Sequence, residues 1–482
     1  MQKSLLIGWG EADITPDNPK VELSGQYYQR LANGIHSHIK TVALALEKGS
    51  QQALMICLDV VGFPEDLQNE VRAIIHREIP ALLPESIFLN AIHTHSAPYT
   101  QTSGLFRDWL PLDQDALKPA DYLVFLKTQI LSAAKTAWES RAAGGIATAF
   151  GNARIGHCRR AVYTDGTAEM YGDTTRPDFV GMEAGEDSGV EMLFTFNQAG
   201  KATGMILNVA CPSQVMESTY QISSDYMGAT RENLKFEFGA DFHTLCQISA
   251  AGCQSPRDLT RAYRCEPDFW HADGVTELAK RLTCAVREAF PQTKGKIETD
   301  PVFQHSCKRV SLPMRRASFQ DYRNAKEKIV QLQAIMPEYE AFLDFCRQTH
   351  ANEAIPNLHG PYDSKLHHFV LIQNEKAVIK RYEMQDANPN FEFDMQTMRI
   401  GDAAIVNCPF ELYLVFGQII KARSAAKQTF VVQLSGGSGS YLPSPEAERL
   451  GGYGGLIING KVGSDGGYKL TDIAIDAIQK LF

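Results

Sequence analysis

The sequence predicts an α/β protein with mixed β-sheets and flanking helices. Segments with the two-residue alternation of strands and segments with helical periodicity follow one another along the chain. Some neighbouring strands form hairpins, as at 40–48 and 52–61 around Lys48–Ser50, whereas others are separated by helices, so both antiparallel and parallel pairs are expected. No repeat, linker or low-complexity tract divides the 482 residues, and we therefore expect one large domain over 1–482.

Periodicity and turn residues place the elements in order. Strands are predicted at 4–14, 40–48, 52–61, 86–91, 145–150, 189–196, 203–210, 245–250 and 429–434, with two more within 393–407. Helices are predicted at Asp66–Ile79, Asp121–Arg141, Val275–Phe290 and Glu411–Lys427, and from Thr471 onward. Ser224 and Asp225 precede a further predicted helix, which runs through about Phe238. The charged helical stretch 318–348 predicts a helical insertion at about 316–350, packed over the core.

The composition indicates a soluble protein that binds no nucleic acid. Hydrophobic residues make up 44% and charged residues 21%, and the net charge is −9. Ten cysteines without a CxxC pair are typical of a reducing compartment. The apolar start of the chain is short and is broken by Gly8 and Gly10, unlike a signal peptide, and no stretch reaches the roughly 18 apolar residues of a membrane span. We expect a cytoplasmic protein, provided that no leader has been removed.

Two histidines follow the predicted buried strand at 86–91. His93 and His95 are two positions apart, so at the end of a strand they would project from one face. Two such imidazoles can hold a metal ion, or one can hold it while the other donates a proton or a hydrogen bond. The spacing also occurs where a strand simply ends in polar residues.

Four further segments carry side chains suited to chemistry. Cys211 ends a strand, where a thiolate can bind zinc or a thiol can simply be buried. Asp225 can cap the helix that follows or support a metal ligand. Ser255 lies in a turn after an apolar strand, and Glu411 lies at a predicted helix start, where its carboxylate would suit either the helix dipole or a metal ion.

Two tyrosines and two arginines complete the candidate set. Tyr441 and Tyr453 lie in glycine-rich and serine-rich loops, away from the neighbours of an ordinary core aromatic. A phenolate can bind a metal ion, and a phenol can donate to an oxyanion. Arg159 and Arg160 follow a strand, where they could face substrate charge or remain solvated.

Taken in order, these segments resemble the catalytic domain of the neutral, non-lysosomal ceramidases. The similarity begins at Gly8–Pro16 (family G-x-G-x-A-D-I-T) and continues at His93–Ser96 (family T-H-T-H-S-G-P). It continues through Ser223–Asp225, Gly252–Pro256 (family G-D-x-S-P) and Pro409–Glu411 (family P-G-E), and it ends in the loop of the two tyrosines. The order of the segments is kept over nearly the whole chain.

The resemblance implies a zinc-dependent amidohydrolase with one catalytic Zn²⁺. The implied zinc ligands are His93, Cys211, Glu411 and Tyr441. The implied catalytic residues are His95, which assists the tetrahedral intermediate, Tyr453 as an oxyanion donor, Ser255 at the scissile amide, and Arg159 facing the substrate.

The chain departs from the family pattern at several places. Cys211 stands where the family has a histidine ligand, Cys253 replaces an aspartate, and Phe410 replaces a glycine. A thiolate ligand would reduce the Lewis acidity of the metal. Because 29 residues follow Tyr453 in this sequence, we expect it to lack the family's immunoglobulin-like domain. These departures make a lipid substrate uncertain.

The leading hypothesis is therefore a zinc-dependent hydrolase in which a metal-activated water attacks an amide of an N-acylated small molecule. One alternative keeps the metal but acts on a sugar-derived or lactone substrate. Another is a degenerate member that binds a ligand without catalysis. The expected partner is a small-molecule substrate, and the sequence does not define the oligomeric state.

Overall fold

Strands and helices alternate along the chain, as the sequence predicted. The computed structural model describes residues 4–26, 29–102, 114–262, 269–353 and 367–482. Its strands are β1 (Leu6–Asp13), β2 (Glu22–Leu23), β3 (Arg30–Leu31), β4 (Gly34–Ile35), β5 (Lys40–Lys48), β6 (Gln51–Leu58), β7 (Ile87–Ala91), β8 (Ala142–Asn152), β9 (His157–Cys158), β10 (Arg160–Tyr163), β11 (Ala168–Met170), β12 (Phe179–Met182), β13 (Gly189–Asn197), β14 (Ala202–Val209), β15 (Gln221–Ile222), β16 (His243–Ile248), β17 (Gln254–Ser255), β18 (Phe303–Pro313), β19 (Asn390–Ile400), β20 (Ala403–Asn407), β21 (Phe410–Leu412), β22 (Gln428–Val432) and β23 (Ser440–Leu442).

The helices lie between these strands and cover them. They are α1 (Glu65–Glu78), α2 (Pro119–Glu139), α3 (Asp225–Phe238), α4 (Leu259–Ala262), α5 (His271–Ala289), α6 (Phe319–Ile335), α7 (Glu338–Glu353), α8 (His368–Met384), α9 (Leu414–Arg423), α10 (Pro445–Leu450) and α11 (Ser464–Gln479), with short 3₁₀ turns at Pro84–Ser86, Phe290–Thr293 and Ile457–Asn459. None of the helices in the described ranges is long and apolar enough to cross a membrane.

A large mixed sheet forms one half of the core. Its eight strands run in the order β16-β14-β13-β8-β1-β5-β6-β7. The predicted hairpin of β5 and β6 is antiparallel, whereas the pairs β6–β7 and β14–β16 are parallel. Because side chains alternate along a strand, Val42 and Leu44 pack on one face of β5 and Ala43 packs on the other, against α1 and α2.

A second, four-stranded sheet packs against the first. Its order is β18-β19-β20-β22, with β20 and β22 parallel. Ile405 of β20 belongs to the core shared with the large sheet, while its neighbours Ala404 and Val406 pack on the other face with Phe416 of α9 and Leu470 of α11. The two sheets therefore form the inner layers between outer helices, and the predicted α/β class with mixed sheets is confirmed.

The carboxyl ends of the parallel strands from both sheets meet at one edge. The Ala91 amide after β7 donates to the Leu434 carbonyl at 3.2 Å, and the Gln433 amide donates to the Ile248 carbonyl at 3.0 Å. The Ser213 amide after β14 donates to the Ile92 carbonyl at 3.2 Å. Loops at such an edge are where ligand sites usually form in α/β sheets.

Three of the predicted element boundaries were wrong. Glu411 lies in strand β21, which pairs with β23, so the predicted helix from Glu411 begins only at Leu414 because tertiary pairing overrides local propensity. The last helix begins at Ser464, before the predicted Thr471. The charged helical stretch consists of α6 and α7, and a third helix, α8, packs with them around a small apolar cluster of its own, Leu332, Phe342, Phe345, Phe369 and Ile372.

Candidate active site

His93 and His95 lie just beyond the strand that precedes them. Strand β7 ends at Ala91, and His93 adopts a left-handed φ of 63°, so the two histidines are not alternating positions of one strand. The turn nevertheless places the two rings edge to face, with centroids 4.8 Å apart. A left-handed residue other than glycine costs about 1–3 kcal/mol, and such strain concentrates at functional sites.

The hydrogen bonds of the two rings fix where their protons are. Nδ1 of His93 lies 2.6 Å from the Val61 carbonyl, which only accepts, so Nδ1 carries the proton and Nε2 a lone pair. Arg159 Nη1 donates to Oε1 of Gln214 at 3.0 Å, which orients the Gln214 amide so that its Nε2 donates to Nε2 of His95 at 2.7 Å. The Nε2 atoms of the two histidines, 3.2 Å apart, therefore face each other as acceptors.

Burial keeps both imidazoles neutral. It lowers the pKa of His93, although Glu411 opposes this effect. It lowers the pKa of His95 well below the usual value, and the neighbouring His93 adds to the shift. Neutral rings with exposed lone pairs are the form in which histidine accepts a proton or binds a metal ion.

Glu411 and Tyr441 reach the same place from a separate two-stranded sheet. They are opposite residues of the parallel strands β21 and β23. Oε2 of Glu411 lies 3.6 Å from Nε2 of His93. The Tyr441 hydroxyl accepts from Nη2 of Arg159 at 3.2 Å, and the same Nη2 lies 3.8 Å from Oε2 of Glu411.

The two neighbouring arginines have different surroundings. Arg159 contacts Gln214, Tyr441 and the Gly252 carbonyl, the last at 3.1 Å. Burial lowers the pKa of Arg159, but nearby Tyr441 and other groups outweigh it and hold the pKa above its ordinary value, so the guanidinium stays charged. Arg160 instead pairs with the buried Glu183 and donates to the carbonyls of Gly451 and Tyr453. Arg159 is thus the arginine in the site.

Ser255 is joined to the histidines through two residues that the sequence did not single out. Strand β17 pairs with β9 so that Ser255 lies opposite His157, close to Arg159. Its Oγ is 3.3 Å from the hydroxyl of Tyr171. That hydroxyl is 3.2 Å from Oε1 of Glu217, whose Oε2 is 3.4 Å from Nδ1 of His95.

Tyr453 lines the same cluster from the glycine-rich loop. Its ring meets the ring of Tyr441 edge to face, with centroids 5.5 Å apart. The loop is held in place by Arg160, which binds the carbonyls of Gly451 and Tyr453. The structure thus gathers His93, His95, Glu411, Tyr441, Tyr453, Arg159 and Ser255 at the edge where the two sheets meet.

Cys211 faces a different set of atoms. Its thiol donates to the Ile155 carbonyl at 3.2 Å, and burial raises the pKa of the thiol well above its ordinary value. Within the described part of the chain, no three side chains of His, Cys, Asp or Glu lie close enough to hold a metal ion. Cys211, His93 and Glu411 therefore do not form such a group.

The remaining donors include one pair with the spacing of metal ligands. Two atoms that each lie about 2.0–2.1 Å from a tetrahedral zinc ion are roughly 3.4 Å apart, and Nε2 of His93 and Oε2 of Glu411 are 3.6 Å apart. Nδ1 of His93 is bound to a backbone carbonyl, as is usual for a metal-binding histidine. The Nε2 lone pair of His93 lies beside the Glu411 carboxylate, and the Arg159 guanidinium balances part of that negative charge. Catalytic zinc sites commonly have three protein ligands.

Asp225 supports the segment that carries Gln214 and Glu217. It adopts a φ of 55°, and its carboxylate accepts from the amides of Met216 and Tyr226, each at 2.8 Å. No side chain caps α3. These contacts show Asp225 bracing this segment, which is neither of the two roles that the sequence left open.

Sequence reasoning missed Gln214, Glu217 and Tyr171. Gln214 and Glu217 lie in the polar segment that follows Cys211. The spacing between this segment and the Ser223–Asp225 motif was the signal that could have indicated them. Tyr171 follows the β10–β11 hairpin and carries no local signal. Its backbone φ of 57° is visible only in the structure.

Comparison with solved structures identifies the fold. The neutral ceramidase of Pseudomonas aeruginosa matches with a TM-score of 0.69 over 100% of this chain and 75% of its own, at 17% sequence identity. The chain has the neutral ceramidase fold. A second structure, a ceramidase complexed with C2, matches with a TM-score of 0.67 at 16% identity, over 98% of this chain and 74% of its own. The expected resemblance to the neutral ceramidase fold is confirmed, and the low identity agrees with a divergent chain.

Sequence comparison alone does not reach this result. No protein-family model matches the chain, and no curated protein matches it. The chain therefore has the neutral ceramidase fold, although its sequence differs too much for sequence comparison to detect the similarity.

Proposed function

We propose that this chain is a metal-dependent hydrolase that cleaves an amide of an N-acylated small molecule. The observation that carries the proposal is the pocket between Nε2 of His93, Nε2 of His95 and the carboxylate of Glu411, which is bordered by the guanidinium of Arg159. The amide as the bond cleaved follows from the ceramidases that share the fold.

His93, Glu411 and Tyr441 would hold the metal ion, which we propose to be one Zn²⁺. Bound there, it would supply Lewis acidity and lower the pKa of a water molecule toward about 7. Cys211, the fourth ligand predicted from the sequence, is not needed for this arrangement, because its thiol already donates to the Ile155 carbonyl.

The side chains around the pocket match the needs of amide hydrolysis. The reaction breaks the C–N bond, forms an acyl C–O bond and delivers a proton to the leaving nitrogen. The neutral His95, whose Nε2 accepts from Gln214 in the free protein, would accept a proton from the attacking water at that atom and return it to the leaving nitrogen. Arg159 supplies positive charge beside the carbonyl oxygen, and Tyr453 lies next to Tyr441 as a further donor. Each such donor is worth roughly 3–4 kcal/mol in the transition state.

Ser255 is the side chain placed to contact the amide. The Arg257 amide donates to its Oγ at 3.1 Å, and the Tyr171 hydroxyl lies 3.3 Å from the same Oγ, so the position of the Ser255 hydroxyl is defined. We assign Ser255 the role of orienting the scissile bond. The metal, the bond and the roles of these residues together form one proposal.

Elemental analysis combined with an activity panel tests the proposal. The purified chain is expected to contain about one zinc ion and to hydrolyse at least one N-acylated compound from a panel of a short-chain ceramide and N-acyl amino acids. Chelation should abolish hydrolysis, and added Zn²⁺ should restore it. Full activity of metal-free protein, or activity confined to lactones and glycosides tested beside the panel, would overturn the proposal.

A further inference from the structure

Glu217 is a buried carboxylate that connects two residues of the proposed active site. Its residue exposure is 2%, and a buried carboxylate needs donors around it. Oε2 lies 3.4 Å from Nδ1 of His95, and Oε1 lies 3.2 Å from the hydroxyl of Tyr171. Gln26 also approaches, with its Nε2 3.0 Å from the Glu217 carbonyl and 3.4 Å from Oε2.

The tautomer of His95 decides which atom donates in its contact with Glu217. Because Gln214 donates to Nε2, the neutral ring carries its proton on Nδ1, the atom that faces Glu217. At 3.4 Å the approach is longer than a fully formed hydrogen bond. Catalytic hydrogen bonds are often long without substrate and shorten when it binds.

Tyr171 extends the same arrangement to Ser255. A phenol has one hydrogen, and a carboxylate only accepts, so the hydrogen that Tyr171 gives to Glu217 leaves the phenol oxygen as an acceptor for the Ser255 hydroxyl. The Tyr171 amide is held by the Arg159 carbonyl at 2.6 Å, and its backbone is strained at a φ of 57°. Strain of this kind persists where the surrounding structure requires one side-chain position.

We propose that Glu217 is a positioning residue: together with Gln214 on the opposite nitrogen it holds His95 in the Nδ1–H tautomer, and through Tyr171 it orients the Ser255 hydroxyl. The catalytic part rests on the proposed hydrolase function. The tautomer part concerns the free protein and does not depend on any activity.

Three variants separate these links. Glu217→Met keeps the length of the side chain but removes the acceptor. Glu217→Gln keeps an oxygen that can accept from Nδ1–H of His95, and its amide can donate to the Tyr171 oxygen. Tyr171→Phe breaks the link to Ser255 and leaves Glu217 beside His95.

Nitrogen NMR of the His95 imidazole is the direct readout. Wild type, Glu217→Gln and Tyr171→Phe are expected to show the Nδ1–H tautomer, and Glu217→Met is expected to populate it measurably less, because only the Gln214 amide then favours it. With a substrate found as above, Glu217→Met should lower kcat by about 10- to 100-fold with KM changed less than about threefold, and Glu217→Gln should recover most of that loss. Zinc content should stay at the wild-type level in all three.

The outcomes distinguish this proposal from the function on which it rests. An Nε2–H tautomer in the wild type, or an unchanged tautomer and kcat in Glu217→Met, would overturn the role of Glu217. If Glu217→Met does not fold, two measurements still test the role of Glu217. They are the tautomer of the wild type and the kcat of Glu217→Gln, which is expected to lie near the wild-type value. Loss of activity without any change of tautomer in Glu217→Met would assign Glu217 a purely structural role. A wild type with the Nδ1–H tautomer and no hydrolysis of any panel compound would refute the hydrolase alone.

Discussion

Glu411 and Tyr441 are opposite residues of two short parallel strands, β21 and β23. Opposite residues of paired strands project from the same face, so the backbone itself brings the two side chains to the site. A shift of the pairing by one residue would turn one of the two side chains to the opposite face. The pairing thus explains how two predicted ligands from distant segments can serve one ion.

Replacing Glu411 with Gln is expected to remove the metal ion. An amide binds Zn²⁺ far more weakly than a carboxylate, so we expect zinc content to fall to a small fraction and activity to fall at least about 100-fold. Elemental analysis and kcat on the same preparation measure both. Glu70→Gln, at an exposed ion pair with Lys127, is the matched control and should change neither. Full zinc occupancy in Glu411→Gln would exclude this carboxylate as a ligand.

Cys211→Ser is expected to keep its metal ion. A serine hydroxyl can also donate to the Ile155 carbonyl, so the cost should be limited to about 1–2 kcal/mol of unfolding free energy. Zinc content and urea unfolding are the measurements, with Cys408→Ser at another buried cysteine as control. If Cys211→Ser alone lost its zinc, the thiol would be a ligand after all.

Arg159→Lys is expected to lower activity, whereas Arg160→Lys is expected to lower stability. Lysine cannot reproduce the planar fork by which Arg159 reaches Gln214, Gly252 and Tyr441, so kcat should fall about 10- to 100-fold with a small change in stability. Arg160→Lys should instead cost about 2–3 kcal/mol of unfolding free energy, because Glu183 and two loop carbonyls lose buried donors. Equal effects of both substitutions on kcat would contradict this division.

Gly25→Ala is expected to displace His95. At this position φ is +100°, and an added Cβ would lie 2.4 Å from Cγ of the His95 ring. Gly49→Ala is the matched control, since φ is +65° there and nothing lies within 4 Å of the added atom. Both variants should lose about 1–2 kcal/mol of stability through backbone strain. Only Gly25→Ala should also lose activity, measured as kcat at full zinc occupancy.

The buried Asp225 predicts a pH dependence of stability. Burial raises its pKa to about 6 in the folded protein, although the amides of Met216 and Tyr226 oppose the shift. An unfolded aspartate titrates near about 3.9. The stabilisation from the bound proton is therefore complete below about pH 4 and is lost as the pH rises through about 6, for a total of about 3 kcal/mol.

Urea unfolding of Asp225→Asn between about pH 4 and pH 7 checks this sign. Asparagine also tolerates the left-handed backbone at this position, where φ is 55°. The difference in unfolding free energy between wild type and variant should favour the wild type more at the acidic end. A difference independent of pH would mean that Asp225 stays ionised throughout.

The sequence predicted the fold class and most elements because their signals are local. Alternation marked β5 and β6, and helical spacing marked α1 and α2. The start of α9 was misplaced because β21 owes its form to pairing with a strand that lies much later in the chain. The sequence did not predict Gln214, Glu217 and Tyr171 for the same reason, because their contacts join segments that no local pattern relates.

The edge at which the two sheets meet has a mechanical consequence. His93 follows the last strand of the first sheet, and Glu411 lies in the short strand that comes directly after β20 of the second sheet. The binding free energy of a ligand held by both side chains adds to the free energy that holds the two sheets together. Occupancy of this one small pocket would therefore be measurable as resistance of the whole molecule to unfolding.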